Sequence, residues 1–439
     1  MYFVRKLTNE VQCVKSHREL DHWNGLVAAA WRGSARQGQL NAASRDTRGT
    51  RPLTHGGTVE HVVAETPRLT ESASAVFAVL AQAGSATRPQ LASLAGLSKP
   101  TVSSAVAELE AAHLATHSGT ASGGTGRSAA VYGLGPASGA VLAVDLGPAR
   151  TLVRGCALDG TLLAEATATR ENAVDAVREA LAALPVGAPL RTIVVAVGDV
   201  TTPDGADGRM RPATAKAGPV FDAVSVALPP GVPVHLENNV NCAALAELHE
   251  GAALGRRTFG YLRIGVGVGL GIVIGGQVLR GANGAAGELA RLPYPWDDDR
   301  EPRQEALEEY VGAHSLLRRA AAAWRDGEGP VPDSADQLFA LAAQGRETAR
   351  ALVDRHAADV GRLAAAVAAV LDPGLIVLGG STGAYPQLLP GVRAELGRLS
   401  WPTEVVSSTV GDRGTVVGAA RLAVARGVQT VTEAAGVKD

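Results

Sequence analysis

Two adjacent amides, Asn238 and Asn239, stand at the join between an apolar run (VPVHLE) and a helical pattern (NVNCAALAE). Each can donate to and accept from a hydroxyl, and neither can take up a proton. The pair therefore suits recognition of a hydroxylated ligand rather than general-base catalysis. An asparagine at such a join can also cap the helix that follows, and the residues alone leave both roles open. A second set lies upstream, in QLASLAGLSKPTVSSAVAEL. There Lys99, Thr101, Ser103 and Ser104 are short donors or cations on one exposed face, suited to phosphates and base edges.

The upstream set needs a frame, and the flanking pattern supplies one. SASAVFAVLAQAG puts Ala73, Val76, Phe77 and Leu80 on one helical face. Two short helices follow around a tight turn. Thr87 with Gln90 predicts a capping box and Ser98 a second cap, with Pro89 and Pro100 each tolerated in a first turn. Ala92 is small where two helices cross, and Gly96 can take the left-handed conformation the turn needs. Val102, Val106 and Leu109 pack the second helix back. This is the layout of a helix-turn-helix, whose second helix enters the major groove by its N-terminal end. HLATHSGTASGGTGRSAAVYGLG then reads as a β-wing, with Arg127 near its tip able to reach a minor groove. The candidate DNA contacts are Arg88, Lys99, Thr101, Ser103, Ser104 and Arg127. The alternative is a three-helix bundle with a hairpin that binds protein or nothing, which Glu108 and Glu110 at the helix end favour.

At 439 residues the chain is too long for one ordinary core, so two or three domains are expected. A formal charge of −2 gives no strong long-range field, and any nucleic-acid contact must be local. Cys13, Cys156 and Cys242 are scattered singly, which suits a reducing cytoplasm and offers no metal-ligand spacing. MYFVRKLTNE lacks the apolar core of a secretory signal, and the longest apolar runs are broken by Asp, Pro or Gly. A cytoplasmic protein without a membrane partner is expected. Residues 1 to 67 are polar and aperiodic and are expected to be disordered, a short helix near RELDHWNGLVAAAW being the alternative. From Gly139 onward apolar strands (AVLAVDLG, TIVVAVGDV, VPVHLEN, FGYLRIGVGVGLGIVIGG, GLIVLGG) alternate with helical stretches, an α/β pattern without a short-period repeat.

The order of the motifs carries more than any one of them. GTGR, VDLG, ENNVN, GVGVGLG, GAAGELA, LEEYVG, DPGLIVLGG and VVGAA follow in turn. In that order the chain from about Leu69 to Ala425 resembles the ROK family (repressor, open reading frame, kinase), in its transcriptional-regulator branch. The resemblance implies an N-terminal winged helix-turn-helix over 68–136. A two-lobed actin-like, sugar-kinase-like (ribonuclease H-like) domain would follow over 139–427. Lobe 1 is expected at about 139–236 with a C-terminal helix at about 414–427, lobe 2 at about 237–413, and 428–439 as a tail. The family's catalytic Asp falls at Asn239. Its first phosphate loop, D-x-G-x-T, is Asp145-Leu146-Gly147-Pro148-Ala149, where Pro148 removes a backbone donor and Ala149 the hydroxyl. Its second, G-T-G-x-G, is Gly265-Val266-Gly267-Val268-Gly269, again without the hydroxyl. Loss of the base alone removes about two to four decades of rate. The resemblance therefore implies a non-enzyme without cofactors.

The remaining ligand contacts carry over unevenly. Glu288 in GELAR and Glu308 in LEEYVG match sugar-binding carboxylates, and join Asn238 and Asn239 as candidate ligand residues. Arg291 replaces a histidine that in the family bridges sugar and structural zinc. YPWDDDREPRQEALEEY contains no Cys, so the zinc loop is absent, and Asp297 to Asp299 read as a solvated face. Arg291 either braces against Glu288 or faces the cleft and selects an anion. The expected protein is a repressor of double-stranded DNA that senses a sugar, sugar phosphate or sugar acid. A homodimer or homotetramer on a near-palindromic operator is expected, because one short helix buries too little surface. The alternatives are a ligand-independent DNA-binding protein of the same build, and a sugar kinase with an accessory helical unit.

Overall fold

The computed structural model describes residues 67–121, 128–203, 210–212, 218–295 and 301–433. The N-terminal extension, Arg127 and Asp297 to Asp299 lie outside the described residues. Helices α1 (Glu71–Ala83), α2 (Arg88–Ala95) and α3 (Lys99–Ala111) close around Phe77, Leu80, Leu91, Val102 and Leu109, all fully buried. The caps form. Gln90 accepts from the backbone N–H and the hydroxyl of Thr87, both at 2.8 Å, and the Ser98 hydroxyl accepts from the Thr101 N–H. Gly96 ends α2 at φ 64°, a left-handed turn that a Cβ would strain. Strands β1 (Ser85–Thr87), β2 (Ala115–Ala121) and β3 (Ala129–Leu134) form an antiparallel sheet in the order β1-β3-β2. The two acids that weighed against a DNA role have internal partners. Glu108 accepts from the Thr70 N–H and hydroxyl at 2.8 and 2.7 Å, clamping the start of α1, and Glu110 faces Arg88.

Two five-stranded sheets follow. In the first, β4 (Ala140–Leu146) is central, with β5 (Arg150–Ala157) and β6 (Leu162–Thr169) antiparallel on one side. On its other side β7 (Leu190–Val197) and β10 (Val234–Asn238) run parallel, while β8 (Thr201–Pro203) and β9 (Met210–Pro212) form a separate ribbon. The second sheet repeats that plan. There β11 (Phe259–Ile264) is central, β12 (Val268–Ile274) and β13 (Gln277–Val278) are antiparallel, and β14 (Leu375–Gly379) and β15 (Glu404–Ser407) parallel. This is a mixed α/β, sugar-kinase-like actin fold. A central strand is covered on both faces, which is why every residue of AVLAVDL, including Asp145, is buried. The first sheet takes in Asn238, so its edge lies two residues past the expected 236.

The helices of this body are α4 (Ala173–Ala182), α5 (Gly218–Ala227), α6 (Asn239–Glu250), α7 (Ala306–Val311), α8 (Ala313–Ala323), α9 (Ala335–Ala343), α10 (Glu347–Leu371), α11 (Gly380–Gly383), α12 (Leu389–Leu399) and α13 (Gly414–Glu433). The last corrects the expected tail from 428. α13 continues to Glu433, Val431 is fully buried, and the Ser74 hydroxyl of α1 donates to the Thr432 carbonyl at 3.3 Å. Gly427 sits inside this helix because a Cβ there would lie 2.6 Å from Leu158 and 2.7 Å from Val141. One apolar cluster therefore runs from Phe77 and Leu80 through Val416 and Ala423 to Val141 on β4. The connection between units is pinned as well: the buried Arg191 of β7 donates to the carbonyls of Ala137 and Ser138.

Candidate functional site

A cavity of about 400 Å³ opens between the two sheets. β4, β7 and β10 point their C-terminal ends at it, the place where open α/β sheets bind ligands. All five expected ligand residues, Asn238, Asn239, Glu288, Arg291 and Glu308, line it. They are not equivalent.

Asn238 is the N-cap of α6. Its Oδ1 accepts from the N–H groups of Val240 (2.8 Å) and Asn241 (3.3 Å), and its Nδ2 donates to the Asp199 carbonyl. Both ends of the amide are engaged, so Asn238 shapes the site rather than offering free groups to a ligand. Asn239, one residue on and only 6% exposed, makes no side-chain hydrogen bond among the described residues. Its amide abuts Gly198, and its backbone carbonyl accepts from the Thr415 hydroxyl of α13 at 3.4 Å. The free amide is Asn239.

In the second lobe, Glu308 accepts from the Val268 N–H at 3.2 Å and so closes over the glycine-rich turn. Burial holds the Glu288 carboxyl above its ordinary range; Arg291 opposes this, and Asp199 and Glu308 add to it. Arg291 is exposed on the cavity and makes no ion pair among the described residues. The bond that would make it a brace against Glu288 is not formed.

Both glycine-rich turns are altered beyond the loss of hydroxyls. Arg170 donates to the Gly147 carbonyl at 3.0 Å, closing the first turn, and Pro148 faces the cavity. Arg263, at the end of β11, brings a guanidinium to the cavity beside the second turn. Asp145 of the first turn is pushed up to about 6 by burial, against the pull of Arg263 and Arg150. Asp199 and Arg263 were missed from sequence, although a lone charge in an apolar run such as FGYLRIGVG is a usable signal. The ion pair of Glu237 (buried) with Arg280, at 2.6 Å, was missed too. It ties the end of β10 to the second lobe, and only tertiary placement reveals it.

Of the candidate DNA contacts, Lys99, Ser103 and Ser104 are exposed at the start of α3. Thr101 is half-buried, its hydroxyl 2.8 Å from that of Ser98. Arg88 is part-exposed and already has internal partners. Its guanidinium lies 4.9 Å over the Tyr132 ring and 3.8 Å from Glu110, which holds it against β3. Among the described residues no three His, Cys, Asp or Glu side chains converge as metal ligands, and no helix is long and apolar enough to cross a membrane.

Residues 141–426 match the ROK family. The bifunctional enzyme NanE/NanK of Brucella melitensis is 31% identical over 195 residues, which are 44% of this chain and 36% of that protein. The chain thus spans about a third of the length of that curated relative. Among solved structures, a ROK family transcriptional regulator homologous to the E. coli MLC protein has a TM-score of 0.62 at 20% identity, covering 83% of this chain and 99% of that one. A ROK family glucokinase from Streptomyces griseus, in complex with glucose and AMPPNP, has a TM-score of 0.53 at 25% identity, covering 65% and 99%. The family match takes in both sheets and most of the helix that joins them, and the chain belongs to the ROK family.

Proposed function

We propose that this ROK protein is a transcriptional regulator, a repressor, that senses a sugar or sugar derivative in a cleft without phosphoryl-transfer chemistry. The observation that carries the reading is Asn239: a buried, unpartnered amide at the position where a kinase needs a carboxylate to accept the hydroxyl proton. A neutral amide binds a hydroxyl and cannot deprotonate it. Closure of the first turn by Arg170 points the same way. The unfilled donors of Arg291 favour an anionic derivative, a sugar acid or sugar phosphate.

The N-terminal unit is, on this reading, a winged helix-turn-helix that binds double-stranded DNA in the cytoplasm as a homodimer or homotetramer. Lys99, Ser103 and Ser104 stand exposed at the N-terminal end of its second helix of the motif, α3, where such helices meet base edges. Helix α13 supplies a route for coupling. It touches Asn239 through Thr415 and α1 through Thr432, so a shift of α6 on ligand binding is felt under the DNA-binding unit. The fold likeness to a ROK transcriptional regulator over 83% of this chain agrees with the reading. Footprinting on the DNA upstream of the protein's own coding sequence tests it. Two protected half-sites about one helical turn apart are expected, and protection of a single asymmetric half-turn contradicts it.

The second reading is a sugar kinase with an accessory DNA-binding unit, favoured by the kinase names of relatives such as NanE/NanK and the glucokinase. An ADP-release assay with ATP, magnesium and glucose or other hexoses separates the two. The regulator reading expects no sugar-dependent ADP.

A further inference from the structure

We propose a second ligand site, separate from the interlobe cleft: an oxyanion site among the helices of the second lobe that takes the phosphate group of a small molecule. An open cavity of about 530 Å³ is lined there by Ser315, Arg318 and Arg319 of α8, Tyr310 of α7 and Arg355 of α10. Ser315 is only 6% exposed, and its hydroxyl has no hydrogen-bond partner among the described residues. That hydroxyl opens onto the cavity, where it is free to donate to or accept from a ligand.

The charges around that hydroxyl are unequal. Arg319 forms a fixed wall. It donates to Asp359 at 3.0 Å and to the Tyr310 carbonyl at 2.7 Å, with its guanidinium 4.6 Å over the Tyr310 ring. Asp359 is answered by Arg319 and Arg362, and Glu309 by a two-pronged pair with Arg303. Arg318 donates only to the Glu309 carbonyl oxygen, and Arg355 has no partner among the described residues. Neither guanidinium makes an ion pair with a carboxylate among the described residues, although Arg318 adds to the field that lowers the Glu309 carboxyl. Glu301, exposed at the rim, is the one lining carboxylate without a partner among the described residues, and the charge summed over the described lining residues stays positive. Two guanidinium forks and a hydroxyl, on separate turns of two helices, match the three terminal oxygens of a phosphate better than the two of a carboxylate.

Titration calorimetry of the full chain at low ionic strength tests the site, with inorganic phosphate and glycerol 3-phosphate as probes. Saturable binding is expected in wild type and expected to persist in Arg291→Met, which removes the cleft guanidinium that could take the same anions and so isolates the helical site. Arg355→Met should bind about tenfold more weakly or worse, the loss of one charge-assisted hydrogen bond. Ser315→Ala should weaken binding and Glu301→Gln strengthen it. Arg355 is exposed and unpaired, so its variant should melt with wild type and the comparison stays clean. Equal affinity for both probes marks free phosphate as the ligand; tighter binding of the ester marks a phosphorylated metabolite. No saturable heat with wild type at millimolar phosphate overturns the proposal. So does binding that Arg291→Met weakens and Arg355→Met does not.

Discussion

Gly418→Ala perturbs the contact through which the cleft and the N-terminal unit are joined. Gly418 lies where α13 crosses α6, and a Cβ there would sit 1.7 Å from the Cys242 carbonyl oxygen and 3.1 Å from the Ala246 nitrogen. The obstacle is helix backbone, which cannot swing aside as a side chain does. Restoring ordinary contact at roughly 3.5 Å requires the helices to part by well over 1 Å. Overpacking of this kind costs about 1–3 kcal/mol, while alanine returns about 1 kcal/mol of helix propensity. Because the obstacle is unyielding backbone, the upper part of that range applies, about 2–3 kcal/mol, and the net is a loss of about 1–2 kcal/mol, or about 2–8 °C in melting temperature. Gly397→Ala is the control. It lies on α12 with nothing within 4 Å of the added methyl, so only the propensity gain remains and the variant should melt slightly above wild type. Scanning calorimetry of the three proteins reads both signs. If Gly418→Ala melts with or above wild type while Gly397→Ala rises as expected, the close packing of α6 on α13 is wrong, and with it the coupling route.

Arg291→Met should leave the melting temperature of the ligand-free protein nearly unchanged, within about 0.5 kcal/mol, because Arg291 is exposed and unpaired. It should weaken glucuronate about tenfold or more and leave glucose alone, measured by calorimetry; equal effects on both ligands would remove its role as an anion selector. Asp145 has a folded-state carboxyl raised to about 6 from 3.8 by burial, so it holds its proton more readily folded than unfolded. Its contribution to stability is complete below about pH 4 and is lost as pH rises through 6, on the order of 3 kcal/mol. Asp145→Asn should therefore raise the melting temperature at pH 8 and not at pH 4, and a gain equal at both pH values contradicts this. Asn239→Asp should not create a kinase, because Pro148 and Arg170 still disable the first phosphate turn. Sugar-dependent ADP release by that variant would show that only the base had been lost.

Local signals in the sequence located what depends on near neighbours. The Thr87–Gln90 cap, the Gly96 turn and the strands ending at Leu146, Val197 and Asn238 all follow from spacing within a few residues. The five residues carried over by resemblance meet at one cavity because each follows a strand end or turn that the two-sheet plan directs to the same place. What stayed hidden depends on distant partners. Arg88 reads from sequence as a free cation, and only the ring of Tyr132, brought up by β3, shows its internal partner. Glu108 and Glu110 read as repulsive charges until Thr70 and Arg88 are seen beside them. β5 and β6 were passed over because their polar positions, such as Arg154 and Glu165, interrupt the apolar pattern and pair with each other across the strands. α13 runs past the expected end at about 427, and Gly427 inside it is a close-approach position against Leu158 and Val141. The repeated sheet plan has no repeated residues to announce it.

The central claim is that this cleft binds without turning over and reports binding to DNA. The most direct measurement is the affinity of the protein for its upstream DNA by fluorescence anisotropy at fixed salt, with and without a panel of sugars, sugar acids and sugar phosphates, for wild type and Asn239→Leu. The account predicts that at least one panel member shifts the wild-type affinity, and that Asn239→Leu binds the DNA as wild type does but no longer responds. A wild-type affinity that no panel member changes, or a response that survives in Asn239→Leu, would contradict it.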